Sequence, residues 1–238
     1  MRHLEKKQGK QRMTAARAIV ECIKREKINY VFTVPGESFL PLLDAFYDEP
    51  SIQVISCRHE GGASFMAEGY AKASQKMGIV MATRGVGATN VSIGVHTAFH
   101  DSTPMVVFLG QVRRDFRGRE GFQEINFEEF FKPITKWTAE IIDEKRIPEI
   151  VQRAFYMAKS GRPGPVVVSL PEDILSKEGN YQFGPVIAPP RPSPSTNDVH
   201  SLENFLNNAK KPVIIAGGGI KLSNAEDALI SFCETFHI

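Results

Sequence analysis

The chain has 238 residues, 42% of them hydrophobic and 24% charged, with a net charge of +2, which is room for one large globular domain or for one domain and part of another. So balanced a charge excludes nucleic acid or an anionic membrane as the main partner, and no apolar run reaches the roughly 18 residues of a membrane span. Three scattered cysteines, Cys22, Cys57 and Cys233, form no CxxC pair, so neither a disulfide framework nor a zinc ribbon is supported and a reducing cytoplasm is the expected compartment.

Residues 1–12, MRHLEKKQGKQR, are basic and lead into no apolar signal core, so they read as a solvated, disordered tail. Thr14 is placed to cap a helix reaching about Glu26, with Ile19, Val20 and Ile23 on one face. "YVFTVP" reads as a buried strand turned by Gly36. Phe39 to Tyr47 form a short helix that tolerates Pro41 in its first turn. "IQVIS" is a second strand, and Glu60 to about Lys76 a helix that is rich in small residues at its start. "GIVMAT" is a third strand, "RGVGATN" a glycine loop, "VSIGVHTAF" a helix and "PMVVFLG" a fourth strand.

Residues 111–130 break this rhythm with polar, charged and glycine-interrupted sequence, as functional segments often do. "ITKWTAEI" is strand-like, a helix runs from Pro148 to Gly161, and "PVVVSLP" is a further strong strand. Residues 176–197 are rich in proline and polar residues and read as a linker. Residues 198–238 restart a helix, a strand at "KPVIIA" and the turn Gly217–Gly218–Gly219. About forty residues cannot bury an ordinary core, so this part is expected to be the truncated beginning of a second domain.

Apolar strands separated by helices predict an α/β fold: a mostly parallel sheet with helices on both faces, followed by the start of a second α/β domain. Ligands of such sheets bind beyond the carboxyl ends of the strands. Pro35–Gly36, Glu60, Gly85 to Asn90 and Gln111 all fall there. In "SCRHEGGA", Glu60 is either a first-turn acid that stabilises a helix dipole or an acid placed for chemistry, and the two readings are compatible. His59 reads as a structural hydrogen-bonding residue and Arg58 as a salt-bridge former.

"TVPGES", "RHEGGASFMAEGYAKAS", "ATRGVGATN", "FHDSTPMVVFLGQV", "GFQE", "ITKW" and "SGRPGPVVVSLPEDI" follow one another in this order. Singly each is a weak signal, but together and at this spacing they are a strong one. Residues 13–175 resemble the N-terminal, pyrimidine-binding domain of thiamine-diphosphate enzymes of the acetolactate synthase type. Residues 198–238 resemble the start of that family's central domain.

The resemblance implies thiamine diphosphate as cofactor, with Glu60 the catalytic carboxylate that hydrogen-bonds the pyrimidine nitrogen and favours the imino tautomer, the internal base of the cofactor. By position, Pro35, Gly36, Thr83, Val86, Asn90 and Gln123 would contact the cofactor. Phe122, Gln123 and Glu172 would face the substrate. Arg162 matches a family arginine that holds FAD in true acetolactate synthases, and Gly217 and Gly218 resemble a dinucleotide-type turn whose backbone can approach a phosphate or a flavin closely.

The implied reaction is decarboxylation of pyruvate and transfer of the two-carbon unit to a second 2-oxo acid. The family holds Mg²⁺ and the diphosphate on a C-terminal domain with a Gly-Asp-Gly motif. That motif does not occur here, and no metal ligands are assigned in this chain. The expected partner is therefore a chain bearing the diphosphate-binding domain, or a homo-oligomer.

Three motifs depart from the family pattern. Glu37 and Ser38 replace the second glycine and the alanine of Pro-Gly-Gly-Ala. Arg84 and Val86 replace the serine and proline of Ser-Gly-Pro-Gly. Glu172 replaces the lysine of Leu-Pro-Lys-Asp. These changes lie on the substrate side, so other 2-oxo acid decarboxylases and carboligases stay open. So does a non-catalytic module that pairs with a partner subunit. A nicotinamide-dependent oxidoreductase is disfavoured, because no G-x-G-x-x-G opens the first strand–helix turn.

Overall fold

The computed structural model describes residues 9–238, which divide into two units between Pro189 and Pro190. In the first unit, β1 (Gln11–Thr14) leads into α1 (Ala15–Arg25), capped by Thr14, whose Oγ1 accepts from the Arg17 N–H at 3.3 Å. Then come β2 (Tyr30–Thr33), α2 (Leu40–Tyr47), β3 (Gln53–Ser56), α3 (Glu60–Ser74), β4 (Gly78–Thr83), α4 (Arg84–His100) and β5 (Met105–Gln111). The short helix α5 (Phe127–Phe131) precedes β6 (Trp137–Glu140), α6 (Ile147–Lys159), β7 (Pro165–Pro171), α7 (Glu172–Leu175) and β8 (Glu178–Tyr181).

Six strands form one all-parallel sheet in the order β3-β2-β4-β5-β7-β6. Its inner strands are apolar on both faces, as a sheet covered twice requires. Alternation along β4 shows this: Ile79 and Met81 join the cluster under α1, α2 and α6, whereas Val80 and Ala82 join the one under α3, α4 and α5. β5 divides likewise, Val106 and Phe108 against Met105, Val107 and Leu109. The predicted α/β fold is the one found.

Four expectations need correction. Residues 1–8 of the expected tail lie outside the described residues, but Gln11–Thr14 are ordered as β1, pairing antiparallel with β8. The backbone groups of two polar segments satisfy one another there, which composition alone does not reveal. For the same reason the linker expected at 176–197 does not begin at residue 176: Glu178–Tyr181 are the partner strand, and Tyr181 is buried. "RGVGATN" is no loop but the first two turns of α4, where Gly85, Gly87 and Ala88 are buried and close packing overrides weak helix propensity.

The fourth correction concerns the second unit. It contains α8 (Thr196–Asn208), α9 (Gly219–Leu222) and α10 (Glu226–Phe236), and α8 opens on a capping box between Ser195 and Asp198. The strand expected at "KPVIIA" is not formed, and Val213 and Ile215 are exposed. A strand needs a ladder partner, and none is present among the described residues. No residue described in this unit is buried.

Candidate active site

The sheet order creates a crevice. β2 is followed by β3 on one side of it, β4 by β5 on the other, so the connections from these neighbouring strands diverge at their carboxyl ends. Ligands settle at such a switch point. The loop after β2 meets the end of β4 there: a Cβ on Gly36 would stand 2.4 Å from Thr83 Cβ, so only glycine allows this approach. Ser38 Oγ and Thr83 Oγ1 are hydrogen-bonded at 2.6 Å.

Glu60 enters from the side of β3. It is the first residue of α3, capped by His59, whose Nδ1 accepts from the Gly61 N–H at 3.0 Å. His59 thus has the structural role expected of it. Arg58 is exposed and forms no ion pair among the described residues, against the expectation of a salt bridge, because no carboxylate is placed beside it.

Glu60 is 9% exposed, and its Oε2 accepts from Asn90 Nδ2 at 2.9 Å. Its Oε1 has no protein donor among the described residues, and a Cβ on Gly87 would lie 3.5 Å from it. One oxygen is therefore oriented by the protein and the other left to a ligand, beside a helix face pared down to backbone. A flat heterocycle with a ring nitrogen fits that space and that acceptor, so the pyrimidine end of thiamine diphosphate is compatible with the residues present.

Small residues fix this geometry. α3 and α4 pack so closely that a Cβ on Gly94 would come within 2.2 Å of Ser64 Oγ. Nothing larger than glycine keeps Glu60 and Asn90, on different helices, within hydrogen-bond reach.

A second segment closes on the crevice. Gln111, fully buried at the end of β5, donates through Nε2 to the Ile125 carbonyl at 2.9 Å and accepts from the Val112 N–H. The Gly85 N–H donates to the Gln123 carbonyl at 2.8 Å, and Gln123 sits at φ +61°, a left-handed conformation uncommon outside glycine. Phe122 beside it is exposed. Glu124 stabilises the loop by accepting from the Gly118 and Gly121 N–H groups at 2.8 and 3.1 Å, and these bonds, with Arg117, hold its carboxyl below the usual range. Asp173 is also low: burial pushes it up, but the bonds from Arg114 outweigh burial.

Pro35, Gly36, Glu60, Thr83, Val86, Asn90, Phe122 and Gln123 thus gather at one edge, although Pro35 and Val86 are largely solvent-facing. Glu172, at the start of α7, pairs with Arg84 instead of standing free.

Arg162 lies at the opposite edge, before β7. Its guanidinium donates to Ser102 Oγ at 2.7 Å and to the carbonyls of Phe99 and His100 at 3.3 and 2.8 Å, closing the carboxyl end of α4. Gly217 and Gly218 are exposed and follow no strand. With Arg162 engaged in this way and the glycines lacking a strand–turn context, the residues as they stand do not fit a flavin within either unit. Among the described residues no three His, Cys, Asp or Glu side chains converge to hold a metal ion.

Residues 13–130 match the family model described as thiamine pyrophosphate enzyme, N-terminal TPP binding domain. The chain is 39% identical over 229 residues to the acetolactate synthase large subunit of Lactococcus lactis, covering 94% of this chain and 40% of that protein. It is 37% identical over 233 residues to the probable acetolactate synthase large subunit of Methanococcus aeolicus, covering 95% and 39%. To the acetolactate synthase large subunit of Corynebacterium glutamicum it is 36% identical over 228 residues, covering 94% and 36%.

Residues 13–130 thus match a thiamine pyrophosphate-binding N-terminal domain, and most of the chain is similar to part of acetolactate synthase large subunits. The chain spans about two fifths of the length of the relatives it matches. A purely partner-binding module is not favoured by these matches, and no helix among the described residues is long and apolar enough to cross a membrane.

What sequence reading missed in this acetolactate synthase-type site is the pairing of Glu37, Arg84 and Glu172. The signal was present, since all three are departures from the family pattern, but their proximity was not.

Proposed function

We propose that this chain supplies the pyrimidine-binding half of a thiamine-diphosphate-dependent carboligase that decarboxylates pyruvate or a similar 2-oxo acid and passes the two-carbon unit to a carbonyl acceptor. The observation that carries this reading is the buried Glu60 carboxylate, with one oxygen oriented by Asn90 and the other facing the space left by Gly87.

When bound, thiamine diphosphate supplies the nucleophilic carbon and the electron sink that decarboxylation needs. The residues of this chain position and tune it. Gly36, Thr83 and Asn90 would shape the slot for the pyrimidine ring. Glu60 Oε1 would share a proton with the ring nitrogen, and the low-dielectric crevice strengthens that hydrogen bond. Gln123 and Phe122, on the loop tied to Gly85, would border the reacting substrate.

Mg²⁺ and the diphosphate would be held by another domain, supplied by a partner chain or by a second copy in a homo-oligomer. A cytoplasmic setting and a place in branched-chain amino acid biosynthesis go with the same resemblance. A flavin on Arg162 is not part of the proposed chemistry.

The test is thiamine-diphosphate binding and 2-oxo acid turnover by the full gene product with Mg²⁺, in the wild type and in Glu60→Gln. Turnover abolished by the substitution in a protein of unchanged fold supports the reading. Equal turnover by both proteins would overturn it.

A further inference from the structure

Glu37, Arg84 and Glu172 follow three different strands, β2, β4 and β7, and meet at the carboxyl edge of the sheet. Arg84 Nη1 donates to Glu37 Oε1 at 2.7 Å and Nη2 to Glu172 Oε2 at 3.2 Å. The guanidinium lies 5.8 Å from the centre of the Phe122 ring. Arg84 is only 9% exposed, whereas the side chains of Glu37 and Glu172 are 67% and 39% exposed.

Two further features set Arg84 apart. It adopts φ +44°, a left-handed conformation that costs energy in a residue with a Cβ, so that α4 starts directly at the end of β4. Its Nε is buried and has no hydrogen-bond partner among the described residues.

We propose that Glu37, Arg84 and Glu172 set the acceptor specificity of the reaction: they favour an uncharged carbonyl compound over an acceptor that carries a carboxylate. This rests on the thiamine-diphosphate reading of the site and deepens it on the acceptor side.

A buried arginine with open donors would be a carboxylate receptor, because its fork matches that group. Here both Nη groups already hold carboxylates, and two carboxylates against one guanidinium leave the cluster at −1. The surrounding charges do not correct this, since Arg114 is paired with Asp173, Arg113 with Asp115, Arg117 with Glu124 and Glu140, and Lys177, which lines the same cavity as Glu37 and Glu172, with Glu144. An incoming carboxylate meets two like charges and must displace one of them. A neutral carbonyl compound meets no such repulsion and displaces neither.

The transfer balances without an oxidant or reductant. A 2-oxo acid anion, an aldehyde and one proton give a 2-hydroxy ketone and CO₂. The carbon–carbon bond forms at the aldehyde carbon, and the proton ends on its oxygen. The resemblance alone implies a second 2-oxo acid in the aldehyde's place, and the charge of the cluster separates the two.

The experiment is a competition in the full gene product with thiamine diphosphate, Mg²⁺ and pyruvate as donor. Propanal and 2-oxobutanoate are offered at equal concentration, and the products are quantified by mass spectrometry. The wild type is expected to favour propanal. Glu37→Gln and Glu172→Gln, both at exposed positions that keep an acceptor for Arg84, are each expected to move the product ratio toward the 2-oxo acid by about tenfold. A wild type that prefers 2-oxobutanoate, or a ratio that neither substitution moves, overturns the proposal and leaves the reading of the site standing. No product with any donor and acceptor overturns both.

Discussion

The two edges of the parallel sheet use similar residues to opposite ends. At the amino edge, Arg162 spends its donors on the last carbonyls of α4 and on Ser102, and Lys136 donates to the carbonyls of Met157 and Ser160. Burial holds the Lys136 ammonium below its ordinary pKa, but its hydrogen bonds are made. At the carboxyl edge, among the described residues, Glu60 keeps an oxygen without a protein donor and Arg84 keeps a buried Nε–H without an acceptor. One edge has these charged groups satisfied. The other carries unfilled bonds, as sites that await a ligand do. Charge alone does not separate the two edges.

The sharpest way to break this contrast is Glu60→Gln. Its removal as a proton-sharing group is expected to lower thiamine-dependent turnover by about 100-fold or more, with the thermal midpoint little changed. Steady-state kinetics and a melting curve on the full gene product check it, and retained turnover would leave the carboxyl edge no more functional than the other.

Next in size is Gly94→Ala. Its Cβ would stand 2.2 Å from Ser64 Oγ and 2.9 Å from the Ser64 carbonyl carbon, forcing α3 from α4. Overpacking of this kind is expected to cost about 1–3 kcal/mol in urea unfolding, and to weaken cofactor binding through the separation of Glu60 from Asn90.

Asn90→Ala removes the donor on Glu60 Oε2. The expected loss is about 1 kcal/mol of stability, together with weaker thiamine diphosphate binding by calorimetry. By contrast, Arg162→Met at the amino edge is expected to cost about 0.5–1 kcal/mol of stability and to leave cofactor affinity unchanged. A drop in affinity there would show that the satisfied edge is also a ligand site.

The smallest effect is on acid stability. The Gly118 and Gly121 amides and Arg117 hold the Glu124 carboxyl below its ordinary value of 4.5 in the folded chain. A group lowered on folding contributes stability above that value and loses it as the pH falls through the folded one. Unfolding followed between pH 6 and pH 3 should therefore be less pH-dependent in Glu124→Gln than in the wild type.

Much of this was legible in residue order. Strands such as "GIVMAT" and "PMVVFLG" declare burial on both faces, and Thr14 and Pro148 sit where helix starts place them. The position of Glu60 beyond a strand end, ahead of two glycines, pointed to the crevice before any contact was known. Local sequence misled where long-range packing decides: "RGVGATN" has the composition of a loop, yet the buried surface of α3 keeps it helical. "KPVIIA" has the composition of a strand, yet no neighbour pairs with it.

The sequence by itself determined the alternation of helices and strands, the parallel sheet, and which residues stand at strand ends, because periodicity and turn chemistry are local. Only the tertiary structure decided which of those residues meet. Glu60 and Asn90 are thirty positions apart, and Arg84 lies 47 positions from Glu37 and 88 from Glu172. Strand order and the close contact of α3 with α4 set those distances, and neither is written in any local stretch of the chain.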